Sequence, residues 1–127
     1  MAALVVVSHS PLIAEGILQL TSEIAKEAKV YAVGGTKTGV LGSDFDATLN
    51  ILNKLTEDTE VVVLTDLGSS RMTAQMAIEA LTPEKREKIS LSDAALVEGS
   101  IAAAAIISAG FDIAGVMEQL EPLNLPK

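Results

Sequence analysis

Four short apolar runs, each followed by a stretch of helical spacing, constrain this chain more than any other feature. Leu4–Val7 is a continuous run rich in β-branched residues, the pattern of a strand buried on both faces. Ser10 and Pro11 suit an N-cap and a first helical position. Ile13, Ile17, Leu20 and Ile24 then recur at helical spacing, which predicts a helix from Pro11 to near Lys26. Lys29–Val33 reads as a second strand, ended by Gly34 and Gly35. The glycine- and threonine-rich stretch to Gly42 reads as a flexible loop. Ser43 and Asp44 can open a helix striped by Phe45, Leu49, Leu52 and Leu55. Val61–Thr65 is the clearest strand, and Met72, Met76 and Ile78 place a helix after the loop Asp66–Ser70. Thr82–Lys88 reads as a charged turn and Ile89–Leu91 as a weaker fourth strand. Val97–Ala109 and Asp112–Leu120 read as helices. The tail Glu121–Lys127, with Pro122 and Pro126, should be poorly ordered unless it docks on something.

Strands alternating with helices imply a parallel sheet with helices on both faces and right-handed crossovers. The expectation is one doubly wound α/β domain over residues 1–127, with no linker or internal repeat. The chain is 49% hydrophobic, yet Phe45, Phe111 and Tyr31 are its only aromatic residues, so Ala, Leu, Ile and Val must build the core.

Charge and composition remove several functions. Nine basic residues against seventeen acidic ones give a net charge of −8. That opposes sequence-independent nucleic-acid binding and an anionic membrane surface, both of which need a cationic footprint. With no cysteine and one histidine, thiolate chemistry and His- or Cys-based metal sites are excluded, and no metal or cofactor is expected. No apolar run reaches the roughly 18 residues of a membrane span. The start of the chain lacks a signal-peptide pattern, so a cytoplasmic protein is expected.

In doubly wound sheets ligands bind beyond the carboxyl ends of the strands, where the strand order reverses. If the order is 2-1-3-4, the first and third strands are neighbours there. That places Ser8-His9-Ser10 beside Asp66-Leu67-Gly68-Ser69-Ser70. A carboxylate on one imidazole nitrogen fixes the tautomer and leaves the other with a free lone pair, as a nucleophilic histidine requires. A phosphoryl group on that nitrogen would need donors. The N-termini of the following helices offer backbone N–H groups. Gly68 would permit close backbone approach, and Ser69 and Ser70 add hydroxyls. Each element has a plainer reading: His9 capping a strand end, Asp66 capping a helix, Gly68-Ser69-Ser70 as a mere turn. Their joint placement carries the hypothesis. Lys37 and Arg71 read as solvated charges, with contact to phosphate or to a partner's acidic groups as the alternative.

The segment Leu4–Ser10 with Ala14-Glu15-Gly16, the pair Gly34-Gly35, the segment Asp66–Ser70, and Leu96-Val97-Glu98-Gly99-Ser100 together resemble the DhaM family. These are the phosphotransferase subunits of phosphoenolpyruvate-dependent dihydroxyacetone kinase, relatives of the mannose-family EIIA domains. The likeness runs over essentially the whole chain. It implies that His9 is the phosphoryl acceptor, that Asp66 orients it, and that Ser10, Gly68, Ser69 and Ser70 surround the phosphate. It also implies a donor, the phosphocarrier HPr. The implied acceptor is ADP held on the DhaL subunit, whose ATP then phosphorylates dihydroxyacetone on DhaK. A homodimer is implied too. Some relatives carry HPr-like and enzyme I-like domains; a chain ending at Lys127 would depend on separate carriers. Mannose-type relatives exchange a C-terminal strand, which a short tail with two prolines disfavours. The acidic charge could steer a basic partner.

The nearest rival is a mannose-type EIIA domain passing phosphate to a sugar transporter component. A Ser-His-Asp hydrolase built on Ser69 or Ser10 lacks the G-x-S-x-G elbow. A receiver domain would need an acidic cluster where Ser8-His9-Ser10 stands. A flavodoxin would need aromatic residues to stack on flavin. A non-catalytic interaction module would tolerate loss of His9.

Overall fold

The computed structural model describes residues 1–127. In chain order the elements are β1 (Ala3–Ser8), α1 (Pro11–Ile24), β2 (Lys29–Gly34), α2 (Phe45–Leu55), β3 (Val61–Thr65), α3 (Gly68–Glu79), α4 (Pro83–Arg86), β4 (Ile89–Ser92), α5 (Leu96–Ser108) and α6 (Ile113–Leu120). A 3-10 turn, Glu121–Leu123, follows. The strands form one parallel sheet in the order β2-β1-β3-β4. The fold is therefore the doubly wound α/β arrangement that the alternation of patterns predicts.

The side chains of β1 and β3 are buried on both faces, which is why Leu4–Val7 and Val61–Leu64 carry no polar residue. Leu4, Val6, Val62 and Leu64 face one way and meet Ile17 of α1, Ala103 and Ile107 of α5, and Val116 and Leu120 of α6. Val5, Val7, Val61 and Val63 face the other way and meet Leu52 of α2 and Ala74 and Ala77 of α3. Each buried Val or Leu contributes about 1.5–3 kcal/mol.

Capping explains several helix starts. Ser10, Asp44 and Asp112 each accept a backbone N–H from the first turn of α1, α2 and α6. Two segments differ from the sequence expectation. Thr82–Lys88 contains a single helical turn, α4, with Pro83 at its start, Glu84 in its first turn and Lys85 and Arg86 in its last, matching the helix dipole at both ends. The tail docks. Asn124 bridges Ala94 in antiparallel fashion, the Ala95 N–H donates to the Leu123 carbonyl (2.8 Å), and the Leu125 N–H donates to the Asp93 carbonyl (2.9 Å). The prolines do not prevent this, because the bonded N–H groups belong to Ala95 and Leu125.

The glycine pair after β2 has a packing reason. A Cβ on Gly34 would lie 2.5 Å from the Ala14 Cβ and 2.7 Å from the Ser10 carbonyl oxygen. Gly35 has φ +75°, and a Cβ there would meet the Pro11 ring at 2.6 Å. The chain leaving β2 thus passes directly over the start of α1. Gly34→Ala is expected to destabilise the protein by about 1–3 kcal/mol, read from the denaturation midpoint. An unchanged midpoint would mean that α1 can shift without cost. The following loop is tied rather than free: Thr36 N–H donates to Val40 O (2.9 Å) and Gly42 N–H to His9 O (2.9 Å).

Candidate functional site

The register places the site. Val7 pairs with Thr65 on neighbouring parallel strands, so the chain leaves both strands at the same level, at the reversal of strand order. His9 and Asp66 leave together there, as the sequence argument requires.

Asp66 is saturated with donors. Its Oδ1 accepts from the His9 Nδ1–H (3.0 Å) and the Leu67 N–H (2.7 Å). Its Oδ2 accepts from the Ser8 hydroxyl (2.8 Å) and the His9 N–H (2.9 Å). Burial opposes its charge, but the bonds from the His9 ring, the His9 backbone, Ser8 and Leu67 outweigh it and hold the carboxyl well below the usual carboxylate range. An ionised carboxylate only accepts, so the proton of neutral His9 sits on Nδ1. The Nε2 lone pair is then free, and it faces the Ser69 hydroxyl, which donates to it. Ser70 Oγ lies 2.7 Å from Nδ1 and shares its proton, with Ser43 Oγ 3.4 Å beyond. The His9 side chain keeps 20% exposure and Asp66 13%, so the ring is held from behind and open at its outer edge.

The sequence-derived residues do not all meet His9. Ser69 and Ser70 touch its ring. Ser10 does not: its hydroxyl caps α1 through the Ile13 N–H (3.3 Å). Gly68 opens α3, where a Cβ would meet only the Lys127 backbone, at 3.6 Å. No side chain caps α3, whose first N–H groups therefore lack side-chain partners beside Nε2. Lys37 pairs with Asp46 at the surface (2.7 Å), and Arg71 pairs with Asp93 (2.6 Å). Sequence reasoning missed Ser8 as a partner of Asp66. Its only signal was a polar residue closing an apolar strand. It also missed Lys127, whose ammonium donates to the Thr65 (2.6 Å) and Ala94 (2.8 Å) carbonyls.

None of the four surface cavities is lined by His9, Asp66 or Ser69. There is no cluster of three His, Asp or Glu side chains that could hold a metal ion, and no helix is long and apolar enough to cross a membrane. The arrangement is an imidazole at an open surface, with a carboxylate on Nδ1 and with Nε2 facing Ser69 in the first turn of a helix that no side chain caps.

Comparison with known proteins gives the family. The EIIA-man family, described as the PTS system fructose IIA component, matches residues 3–117. A phosphotransferase subunit DhaM of a PTS-dependent dihydroxyacetone kinase from Lactococcus lactis is 34% identical over 98% of this chain and 97% of its own. A DhaM phosphoryl donor subunit of Escherichia coli is 32% identical over 89% of this chain, which spans only 25% of that longer protein. A crystal structure of a protein of unknown function, EF1359, superposes with a TM-score of 0.87 at 28% identity, covering 99% and 98% of the two chains. The chain belongs to the EIIA-man family of phosphotransferase-system domains, and within it to the DhaM subunits.

Proposed function

We propose that this chain, as a single EIIA-like domain over residues 1–127, is the phosphoryl donor subunit of a phosphoenolpyruvate-dependent dihydroxyacetone kinase, carrying the phosphoryl group on Nε2 of His9. The observation that carries this is the orientation of the ring: Nδ1 is committed to Asp66, and Nε2 points outward to Ser69 and the start of α3. The Nε2 lone pair attacks the phosphorus of the donor phosphohistidine on HPr. The new N–P bond forms as the donor's P–N bond breaks, and the electron pair returns to the donor ring. Positive charge developing on the His9 ring is balanced by Asp66. In this reading Ser69 Oγ–H and the first N–H groups of α3 receive the phosphoryl oxygens. Transfer to ADP on DhaL reverses the geometry, and DhaK uses the ATP formed. The reading includes a cytoplasmic homodimer and no metal.

An exposed apolar rim supports a protein as donor and acceptor. Leu12 (79% exposed), Leu41 (74%), Met72 (63%), Val40 and Leu67 (both 60%) lie on the segments that flank His9. Such a rim without a pocket fits transient docking. Leu41→Asp is expected to raise KM for the donor carrier by about tenfold with little change in kcat. A fall in kcat alone would remove Leu41 from the docking surface.

The test of the whole reading is intact mass after incubation with phosphoenolpyruvate, enzyme I and HPr. One phosphoryl group gained and then discharged by DhaL with ADP supports it. Labelling that DhaL cannot discharge would favour a sugar-transport EIIA domain, and no labelling would overturn the carrier reading. One observation favours a second reading: Ser69, His9 and Asp66 stand in the order of a hydrolase triad. Reaction of Ser69 with a fluorophosphonate probe would support that reading, and inertness would dismiss it.

A further inference from the structure

The β3–β4 ladder ends at the pair Leu64 and Ser92. Beyond it the two chains diverge, β3 towards Asp66 and β4 towards the turn at Asp93 and Ala94. The Thr65 and Ala94 carbonyls there would have no rung to join. The Lys127 ammonium lies between them and donates to both, at 2.6 and 2.8 Å. It reaches this place because the tail is fixed along the same turn, through Leu123, Asn124 and Leu125. The turn is also tied to α3. Asp93 accepts from Arg71 Nε (2.6 Å) and from its terminal guanidinium nitrogen (3.4 Å). Arg71 directly follows Ser70, and Thr65 directly precedes Asp66.

We propose that Lys127 is a positioning residue for His9: its ammonium joins the ends of β3 and β4, holding Asp66 through Thr65, and Ser69 and Ser70 through the Asp93–Arg71 pair. Its functional consequence rests on the carrier reading above; its geometric consequence does not. Burial pushes the Lys127 ammonium below its ordinary pKa, and Asp93 and Asp66 oppose that by attraction, with Arg71 the neighbouring cation. A half-buried cation is tolerated there because two carbonyls accept from it and the charges of Asp93 and Asp66 attract it.

Two measurements on the wild type, Lys127→Met and Lys127→Arg test it: 15N NMR of the His9 ring, and phosphoryl uptake from HPr. In Lys127→Met the ring signals are expected to move from the Nδ1–H pattern towards a mixture of tautomers. Its kcat is expected to fall by about tenfold, the scale of a small misplacement of reacting groups, while KM for HPr stays within about twofold. Lys127→Arg, which keeps a cation and donors, is expected to restore both. Wild-type ring signals and kcat in Lys127→Met overturn the proposal, even if its melting temperature falls, because the residue would then serve stability alone. If Lys127→Met does not fold, Lys127→Gln replaces it with the same expected direction and the same overturning result. A changed ring in a protein whose wild type takes up no phosphoryl group would support the positioning and overturn the carrier reading.

Discussion

A His9→Ala protein is expected to gain no phosphoryl mass under conditions that load the wild type once. The chain has one histidine and no cysteine, and that histidine is the ring that Asp66 holds at Nδ1. Removing a nucleophile that works as a unit with its neighbours costs on the order of 10⁶ in rate, so uptake should fall to background. The fold should survive. Asp66 loses the ring N–H but keeps the Ser8 hydroxyl and two backbone N–H groups, at a cost of about 1 kcal/mol. Intact mass, with a denaturation curve as control, decides it. A phosphoryl group still gained by a folded His9→Ala protein would place the acceptor elsewhere, with Ser69 the first residue to map.

Asp66→Asn is the second change with a large effect. Shape is kept, but one acceptor oxygen becomes a donor. The carboxylate now accepts four hydrogen bonds, two on each oxygen, so whichever way the amide turns, two of those donors would face its NH2 group. If the amide turns its N–H towards the ring, the ring proton moves to Nε2 and the attacking lone pair is lost. Transfer should fall by about 10²–10⁴-fold, the range seen where a carboxylate that holds a histidine tautomer is replaced by its amide. A rate within a factor of two of wild type would show that Asp66 does not set the tautomer.

The same substitution should show in the acid limb of stability. The folded-state pKa of Asp66 is depressed by its four donors. A depressed carboxylate stabilises the fold above its unfolded pKa of about 3.9, and that contribution is lost as pH falls through the folded value. The wild type should therefore lose stability progressively below about pH 4, and Asp66→Asn should lose less over the same range. Denaturation midpoints measured against pH would reveal the difference, and parallel curves would contradict it.

Much of the fold was legible because each element is locally consistent. The Val-rich runs could only be central strands, and Ser10-Pro11, Asp44 and Asp112 mark helix starts whose caps the structure contains. What failed was local by habit and tertiary in fact. Two prolines made Glu121–Lys127 read as loose chain, yet its bonds run to Asp93 and Ala95, thirty residues away. The resemblance puts Ser10 and Gly68 around the phosphate, but neither makes a hydrogen bond to the His9 ring, which Ser69 and Ser70 do. Ser10 takes the helix-cap role that the Ser10-Pro11 pair predicts.

The amino-acid sequence by itself determined the alternation of strands and helices, the chemistry available and, through one histidine beside a serine and proline, where a nucleophile could stand. These follow from periodicity, propensity and composition, which act over a few residues. Only the tertiary structure decided that β1 and β3 are neighbours, that Asp66 takes Nδ1 and leaves Nε2 to Ser69, and that Lys127 closes the sheet beside them. Those are contacts between residues some sixty positions apart. They are fixed by register and by the need of buried polar groups for partners, which exist only once the chain has folded.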